Sequence, residues 1–507
     1  MKKVFVLLTI LQIFLLPVFS EKYKIKDYAF DIEGTGLKFL GATRDFEILK
    51  LYPIDTQREF KSEEEVNKYI DNYKIKLEST RFFETIDITY TSNPADDNVN
   101  EITLNIKLKD SHHMIVMPYP SYSSSKGLSL TIKAKDTNFL GTLKPLNADI
   151  KIKLKDGAFT PSFSLSYDYP FKAGIFDLTL LNEYGVSYTK SEAVSGFEWN
   201  TKTGLNVALQ KNKVTYNIGF IQKTNGKLDF QDYGDYSYFT ENFYIKTPVN
   251  LYEFPNFTTL VYTPSLTYNW NWDQNGINIE NDSITSPEII AEHKLSNKKI
   301  IWNNNFRKGY DFEINNSFTY NFQRNDLIPF ISFESKLYWN YTTNDQEYWN
   351  RYGICADFYT FTYIDLPMNH YKYGENIGER LRGINDYSFL GKTKPAFTTS
   401  SAIMLSIDLP HNILTTNFKK EILNFNLQIS PFFDFALVYN RTTDRLFHPY
   451  DGYYCGGIEV LLYPLKWSSL TIRASLGVDL KAAVQCSNFL EGISKSKELF
   501  IGIGLQY

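Results

Sequence analysis

Residues Glu498 to Tyr507 read ELFIGIGLQY, and this stretch decides the fold. Successive side chains of a strand point to opposite faces. Leu499, Ile501, Ile503, Leu505 and Tyr507 therefore share one face, and Glu498, Phe500, Gly502, Gly504 and Gln506 the other. The first face is wholly apolar, and the sequence finishes on an aromatic residue. Such a face needs a cover. In a membrane β-barrel lipid provides it, while the opposite face meets a polar lumen.

The same alternation recurs upstream. Leu128, Leu130, Ile132 and Ala134 oppose Ser129, Thr131, Lys133 and Lys135; Ile403, Leu405, Ile407 and Leu409 oppose Met404, Ser406 and Asp408. From Ser469 to Leu480, Leu470, Ile472, Ala474, Leu476, Val478 and Leu480 oppose a polar or small set. Strands of about 9 to 12 residues are expected, the length that crosses a bilayer when tilted. Tight connections such as Pro464 to Trp467 contrast with long polar ones, Gln274 to Asn297 and Met368 to Pro395. Short turns on one side and long loops on the other are a barrel habit. Residues 112–507, at roughly 25 per strand and connection, predict a transmembrane antiparallel β-barrel of about 16 strands.

Composition agrees. The 507 residues include 37 Tyr and 39 Phe, and barrels place aromatic girdles at both membrane interfaces. Mean hydropathy is slightly negative, which argues against a helical membrane protein. A net charge of -4 argues against a nucleic-acid partner. Cys355, Cys455 and Cys486 make no metal spacing; a Cys455–Cys486 bridge is one pairing open to an oxidising compartment. His112 and His113 lack a third ligand at metal spacing. No glycine-rich phosphate loop follows a strand, and no Ser, His, Asp set stands out. No enzyme activity, metal or cofactor is expected.

Residues 1–20, MKKVFVLLTILQIFLLPVFS, read as a signal peptide. Lys2 and Lys3 form its positive end, Val4 to Leu16 its apolar core, and Val18 and Ser20 the small residues before cleavage at Glu21. No later apolar run approaches the ~20 residues of a helical span. An exported chain without such a span is soluble or a closed barrel, since only helices and closed barrels satisfy their backbone in lipid.

Residues 21–111 form a separate small domain of β-α-α-β-β order. A strand over Tyr23 to Ile32 precedes a short helix over Phe46 to Leu51. Ser62 and Glu65 make a capping box, followed by Val66, Tyr69, Ile70, Tyr73 and Leu77 at helical spacing. One strand then carries Ile86, Ile88 and Tyr90, another Ile102, Leu104, Ile106 and Leu108, with a polar turn over 93–98 between them.

Three further segments carry a family resemblance: Asp136-Thr137-Asn138-Phe139-Leu140-Gly141, Leu381-Arg382-Gly383-Ile384, and Pro431-Phe432-Phe433-Asp434-Phe435-Ala436. In this order they resemble the outer-membrane assembly superfamily, the BamA/TamA-like bacterial surface antigen barrels. Residues 21–111, with Leu77 to Ile86 running from helix into strand, resemble its periplasmic POTRA domain, present here once. The resemblance covers essentially the whole mature chain. It implies that the loop carrying Arg382 and Gly383 folds into the barrel and that Arg382 meets Asp434. Three positions depart from the family: Ile384 replaces an aromatic, Ala436 replaces a glycine, and Asp408 is a poor substitute for the Glu that some members place near Ser406.

The implied function is insertion, assembly or translocation of other proteins in the outer membrane of a diderm bacterium, with the POTRA-like domain in the periplasm. Implied partners are outer-membrane lipids, unfolded outer-membrane or secreted clients, and accessory periplasmic or lipoprotein subunits. Clients would add to the edge strand bearing Phe83, Ile86, Ile88 and Tyr90, where main-chain hydrogen bonds give affinity without demanding a sequence. The barrel would part between a first strand near His113 to Tyr122 and the last, Glu498 to Tyr507. Gly502 and Gly504 weaken that strand, and Tyr507 resembles a C-terminal assembly signal. The competing readings are a two-partner-secretion-type transporter for one dedicated substrate, and a non-transporting porin or surface antigen.

Overall fold

In the computed structural model the described residues are 22–35, 41–94, 99–123, 127–155, 157–191, 195–211, 214–229, 235–254, 258–276, 285–342, 351–364, 374–383, 388–389, 392–393, 398–420, 423–467, 470–485 and 497–503. The segment read as a signal peptide, Ile384, Cys486, Gly504 and Tyr507 lie outside the described residues. The chain forms two units, one ending at Ser111 and the other beginning at His112.

The N-terminal unit contains β1 (Lys22–Glu33), α1 (Asp45–Leu51), β2 (Glu59–Phe60), α2 (Glu63–Thr80), β3 (Phe83–Pro94) and β4 (Val99–Asp110). Its sheet runs β2-β1-β4-β3. β1 and β4 are parallel; β3 and β4 are antiparallel. The short β2 was not expected, and it covers part of β1 by pairing with Tyr23 and Lys24.

Helix α2 starts where Ser62 Oγ accepts from the Glu65 N–H at 3.3 Å. The return bond of the box is displaced by one residue, the Glu65 carboxylate accepting from the Lys61 N–H at 2.9 Å. The helix stops at Arg81, whose left-handed backbone returns its N–H to the Glu78 carbonyl. Val66, Tyr69, Ile70, Tyr73 and Leu77 are buried, as are Ile25, Ile102, Leu104, Ile106 and Leu108 on one face of the sheet. Each such side chain contributes about 1.5–3 kcal/mol when fully buried. At the end of β4 the Asp110 carboxylate, itself buried, accepts from the Thr43 N–H (2.9 Å) and hydroxyl (2.6 Å). Burial pushes the Tyr69 and Tyr73 hydroxyls up; Tyr73 donates to the Tyr52 carbonyl at 3.0 Å and Tyr69 accepts from the Asp55 N–H at 3.1 Å.

The second unit is a closed barrel. Its strands are β5 (Met114–Ser123), β6 (Gly127–Asp136), β7 (Leu146–Lys155), β8 (Ala158–Ser166 continuing in Tyr169–Ala173), β9 (Phe176–Lys190), β10 (Ser195–Lys211), β11 (Val214–Asp229), β12 (Tyr236–Lys246 continuing in Val249–Phe254), β13 (Thr258–Asn275), β14 (Glu288–Asn303), β15 (Phe306–Asn321), β16 (Asp326–Thr342), β17 (Arg351–Tyr363), β18 (Ser401–Asp408 continuing in His411–Thr415), β19 (Phe425–Asn440), β20 (Tyr453–Pro464), β21 (Ile472–Asp479) and β22 (Lys497–Ile503). From β5 to β22 each strand pairs antiparallel with the next. β22 is hydrogen-bonded to β5, which closes the ring.

The described residues thus form eighteen strand positions, an even number but two more than the expected sixteen or so. Strands also exceed the expected length: β13 has 18 residues and β10 has 17. Both differences have one origin. Polar residues inside a strand, such as Glu288, Glu292 and Lys294 on one face of β14, read as loop by composition, yet a polar lumen accommodates them. The connection expected over 274–297 shrinks to 276–287 accordingly. The last segment read as one strand, Ser469 to Leu480, instead gives β21 followed by a short helix from Leu480, with Asp479 accepting from the Ala482 N–H at 3.0 Å.

Connections at the end where β5 begins are short, for example 174–175, 212–213 and 304–305. Those at the other end include 276–287, 364–400 and 480–496. Leu128, Leu130 and Ile132 of β6, Ile150, Ile152 and Leu154 of β7, and Leu499 and Ile501 of β22 are exposed. Their inward neighbours Ser129, Thr131, Ser475 and Asp479 are buried. A closed sheet with an apolar outside and a polar inside is a transmembrane barrel. Among the described residues no helix is long and apolar enough to cross a membrane.

Candidate functional site: an arginine-locked loop inside the barrel

The connection from β17 to β18 is described over 374–383, and there it runs in contact with inward-facing side chains of the wall. Ile377 and Leu381 are buried in a cluster with Tyr359, Phe361, Ala402, Met404, Ala436, Val438 and Cys455. These wall residues come from β17 to β20, so the loop is packed into the lumen and not merely draped over its mouth. Ala436, which departs from the family's glycine, is fully buried in this cluster.

Arg382 projects from the packed loop. Its Nε and Nη2 donate to Asp434 at 2.9 and 2.6 Å, and its backbone N–H donates to the same carboxylate at 3.0 Å. Its Nη1 and Nη2 also donate to Asp408 at 2.6 and 3.3 Å. The guanidinium lies 3.7 Å from the centroid of the Phe432 ring. Arg382 is 6 % exposed and Asp434 0 %, so both charges are dehydrated and each depends on the other. A rigid planar fork with five N–H donors suits two carboxylates at once.

The wall register explains the geometry. Asp434 on β19 stands opposite Ser406 on β18, and Asp408 is two residues from Ser406 on the same inward face. Such diagonal neighbours lie within reach of one long side chain. Asp408, judged a poor substitute from its offset, is therefore a direct partner; this corrects the sequence reading. One strand further, Glu459 on β20 lies 3.8 Å from Arg382 Nη1 and 3.5 Å from Arg473 Nη1 on β21. Two guanidinium groups thus face three buried carboxylates.

Gly383 fixes the loop tip. Its φ is +104°, and a Cβ there would lie 2.6 Å from the backbone N of Val478. A Cβ on the facing Gly477 would lie 2.8 Å from Arg382 C and from Gly383 N. The loop backbone therefore rests directly on β21, at a place where both sides lack a side chain. Because Gly477 pairs with Glu498 of β22, the Glu498 carboxylate sits beside this contact. It accepts from the Gly383 N–H at 2.6 Å.

A second arginine anchors the loop upstream. Arg380 Nη1 donates to Glu334 of β16 at 2.9 Å and lies 3.6 Å from Asp357 of β17. Its guanidinium stacks 3.9 Å from the Tyr359 ring, whose hydroxyl donates to Glu375 of the loop at 2.7 Å. Within a few residues the loop is joined to β16 through β22.

The other residues singled out in the sequence fall elsewhere. Gly502 lies on β22 opposite Arg473. Phe83 is buried, and Ile86, Ile88 and Tyr90 are half-buried on β3, whose partner among the described residues is β4 alone. Tyr90 donates to Glu63 at 2.8 Å; burial and that bond push its hydroxyl up to about 12. The Asp136 to Gly141 segment is a built turn. Asp136 pairs with His113 Nδ1 and accepts from the Asn138 N–H at 2.9 Å. Asn138 accepts from the Leu143 N–H at 2.8 Å, Gly141 has φ +69°, and Phe139 packs edge-on to Tyr167 at 4.9 Å. His113 is thus part of this turn.

The sequence reading missed Arg380, Glu334, Asp357, Glu459, Arg473 and Glu498. Strand parity alone would have placed Glu459, Arg473 and Glu498 in the lumen. Only the register shows which of them converge.

The fold and site define a transmembrane β-barrel with a loop bolted inside it. No family model matches the chain, and no curated protein matches it. Among solved structures, BamA from Haemophilus ducreyi lacking POTRA domains 1-3 aligns over 94% of this chain and 83% of its own, at 13% identity and TM-score 0.36. CdiB from Acinetobacter baumannii aligns over 95% and 74%, at 10% identity and TM-score 0.44. The siderophore receptor PirA from Pseudomonas aeruginosa aligns over 78% and 72%, at 12% identity and TM-score 0.33. BamA and CdiB belong to the superfamily that the sequence motifs resemble. At these identities and scores the likeness carries no functional argument, which rests instead on the chain's own residues.

Proposed function

We propose that this protein spans an outer membrane and inserts or translocates other polypeptides there, without covalent chemistry. The N-terminal unit, read as a POTRA-like periplasmic domain, receives an extended client by strand addition to β3. The barrel then hands the client on through the seam between β5 and β22. A single observation carries this reading: the loop held by Arg382 also holds the closing strand, through the Gly383 N–H and Glu498. A passive pore has no need to tie an internal loop to the strand that closes the ring. A protein whose ring must open and close under control does.

The test is depletion followed by an inventory of outer-membrane proteins. Broad loss of barrel proteins is the expected outcome. Loss of a single secreted protein identifies the dedicated-transporter reading instead, and an unchanged inventory rejects client handling altogether.

A further inference from the structure

The inward face of β6, β7 and β8 carries charge of one sign. Its outward neighbours Leu128, Leu130, Ile150, Ile152 and Phe163 are exposed, which turns the alternate residues to the lumen. The registers of β6 on β7 and of β7 on β8 set those inward residues in four successive rows of three. Each row holds one lysine: Lys153, Lys151, Lys133 and Lys135, in order along the wall. Of these twelve residues one is a carboxylate, Asp149, and the other seven are Ser, Thr or Asn. Four lysines less one aspartate leave an excess of three positive charges on the rows.

Residues two apart along a strand are about 6.8 Å apart, so the four lysines form a ladder about 20 Å long. The inward lysines of β14 are matched on the spot: Lys294 lies 2.5 Å from Glu313 and Lys298 2.7 Å from Asp311, both on β15. In the ladder Asp149 lies 3.9 Å from Lys133, and it is the one acid in the four rows. The Lys133 and Lys135 rows border a cavity of about 400 Å³, whose polar lining includes Asn147, Ser164 and Ser166. Glu183 of β9 reaches the same cavity, and Lys202 of β10 lies 3.8 Å from it. The bonds of the internal loop described above run to β16 through β22, and this wall lies outside that arc.

We propose that this wall is a docking track for acidic client segments. An extended polypeptide with Asp or Glu at every second residue presents its carboxylates on one face at the same spacing of about 6.8 Å. Laid along β6 to β8, it brings one carboxylate to each lysine. The Ser and Thr hydroxyls between the lysines donate to the carboxylate oxygens that remain. A single small anion uses one rung, whereas a chain in register uses all four. The proposal names the chemistry of the client and rests on the client-handling reading above.

The experiment measures binding of a fluorescent synthetic peptide of four Thr-Asp repeats to the full-length protein in detergent micelles at low ionic strength, by anisotropy. The comparison peptides are four Thr-Asn repeats and a peptide of the same composition with its four aspartates contiguous. The alternating acidic peptide is expected to bind at least about tenfold more tightly than the Thr-Asn peptide, more tightly than the contiguous one, and less tightly as salt is raised. Lys133→Gln, Lys135→Gln, Lys151→Gln and Lys153→Gln should each weaken it about two- to fivefold, the worth of an exposed ion pair, and all four together at least about tenfold. The single variants keep the result interpretable if the fourfold variant fails to fold. A photoreactive phenylalanine analogue at Ser162, in the Lys151 row, should cross-link the peptide in higher yield than one at Ser317 of β15, which stands opposite the inward Glu292. Unchanged affinity in the lysine variants, equal affinity for the Thr-Asn or the contiguous peptide, or equal cross-linking from the two positions overturns the track. None of those results bears on the depletion inventory, by which client handling stands or falls separately.

Discussion

A guanidinium buried as deeply as that of Arg382 is stable only while its charge is matched. Removing it strands Asp408 and Asp434 in the lumen, and breaking a buried pair costs about 3–5 kcal/mol. Arg382→Ala is therefore expected to lower the temperature at which the folded, faster-migrating form disappears on gels, and to reduce client levels. Asp434→Asn should act in the same direction and more strongly than Asp408→Asn, because Asp434 takes three of the bonds and Asp408 two. If Arg382→Ala and Asp434→Asn leave both readouts intact, the lock has no role. Gly383→Ala tests the close approach separately. Its methyl meets the β21 backbone at a positive φ, so it should unseat the loop although it removes no charge. At Glu498 the informative contrast is between Gln, which keeps an acceptor for the Gly383 N–H, and Ala, which does not. Only Glu498→Ala should loosen β22, read as faster amide exchange along Lys497 to Ile503. Arg382 and Asp434 were legible as a pair only through the family motifs, since an arginine in a polar loop and an acid in a barrel strand are each unremarkable. Glu498 was visible in the sequence merely as the polar partner of an alternating face.

Among elements, β3 and α2 control the N-terminal unit. β3 presents an open edge of twelve residues that carries Thr85, Thr89 and Thr91, no lysine, and a proline only at its last position. Exposed edges are ordinarily blunted by lysine or proline, so one left open along most of its length is consistent with strand addition. Thr89→Lys places a charge on that edge at an exposed side chain, and should cut photo-cross-linking of clients to β3 while far-ultraviolet circular dichroism stays unchanged. Ser62→Ala removes the α2 cap at a cost of about 1 kcal/mol, and amide exchange in the first turn of α2 of the full chain should quicken accordingly. The order of elements here was readable because an amphipathic helix buries one stripe and a half-buried strand alternates. The two-residue β2 was not, since a pair of residues carries no periodicity.

For the whole molecule, the decisive quantity is the freedom of the ring to open. A cysteine replacing Val116, scanned against cysteines along 499–503, should give one disulfide that locks β5 to β22. That bond is expected to abolish client insertion while preserving the heat-dependent gel shift, and reduction should restore activity. Retained activity in the oxidised, cross-linked protein would show that clients do not pass the seam. The sequence by itself determined the class of fold, because alternation between an apolar and a polar face is a local property that each strand carries alone. It also marked off the N-terminal segment, because a helical stripe over Val66 to Leu77 occurs there and nothing like it recurs among the alternating segments after His112. What only the tertiary structure decided is convergence. Asp408, Asp434, Glu459 and Glu498 lie on four different strands, and whether the first three meet at Arg382 and the last at Gly383 depends on the stagger of every strand between them. A shift of one residue turns a side chain to the opposite face, and no local pattern records the sum of those registers. The closing stretch that defined the barrel thus acquired its second meaning, as the strand the loop holds, only when the ring was complete.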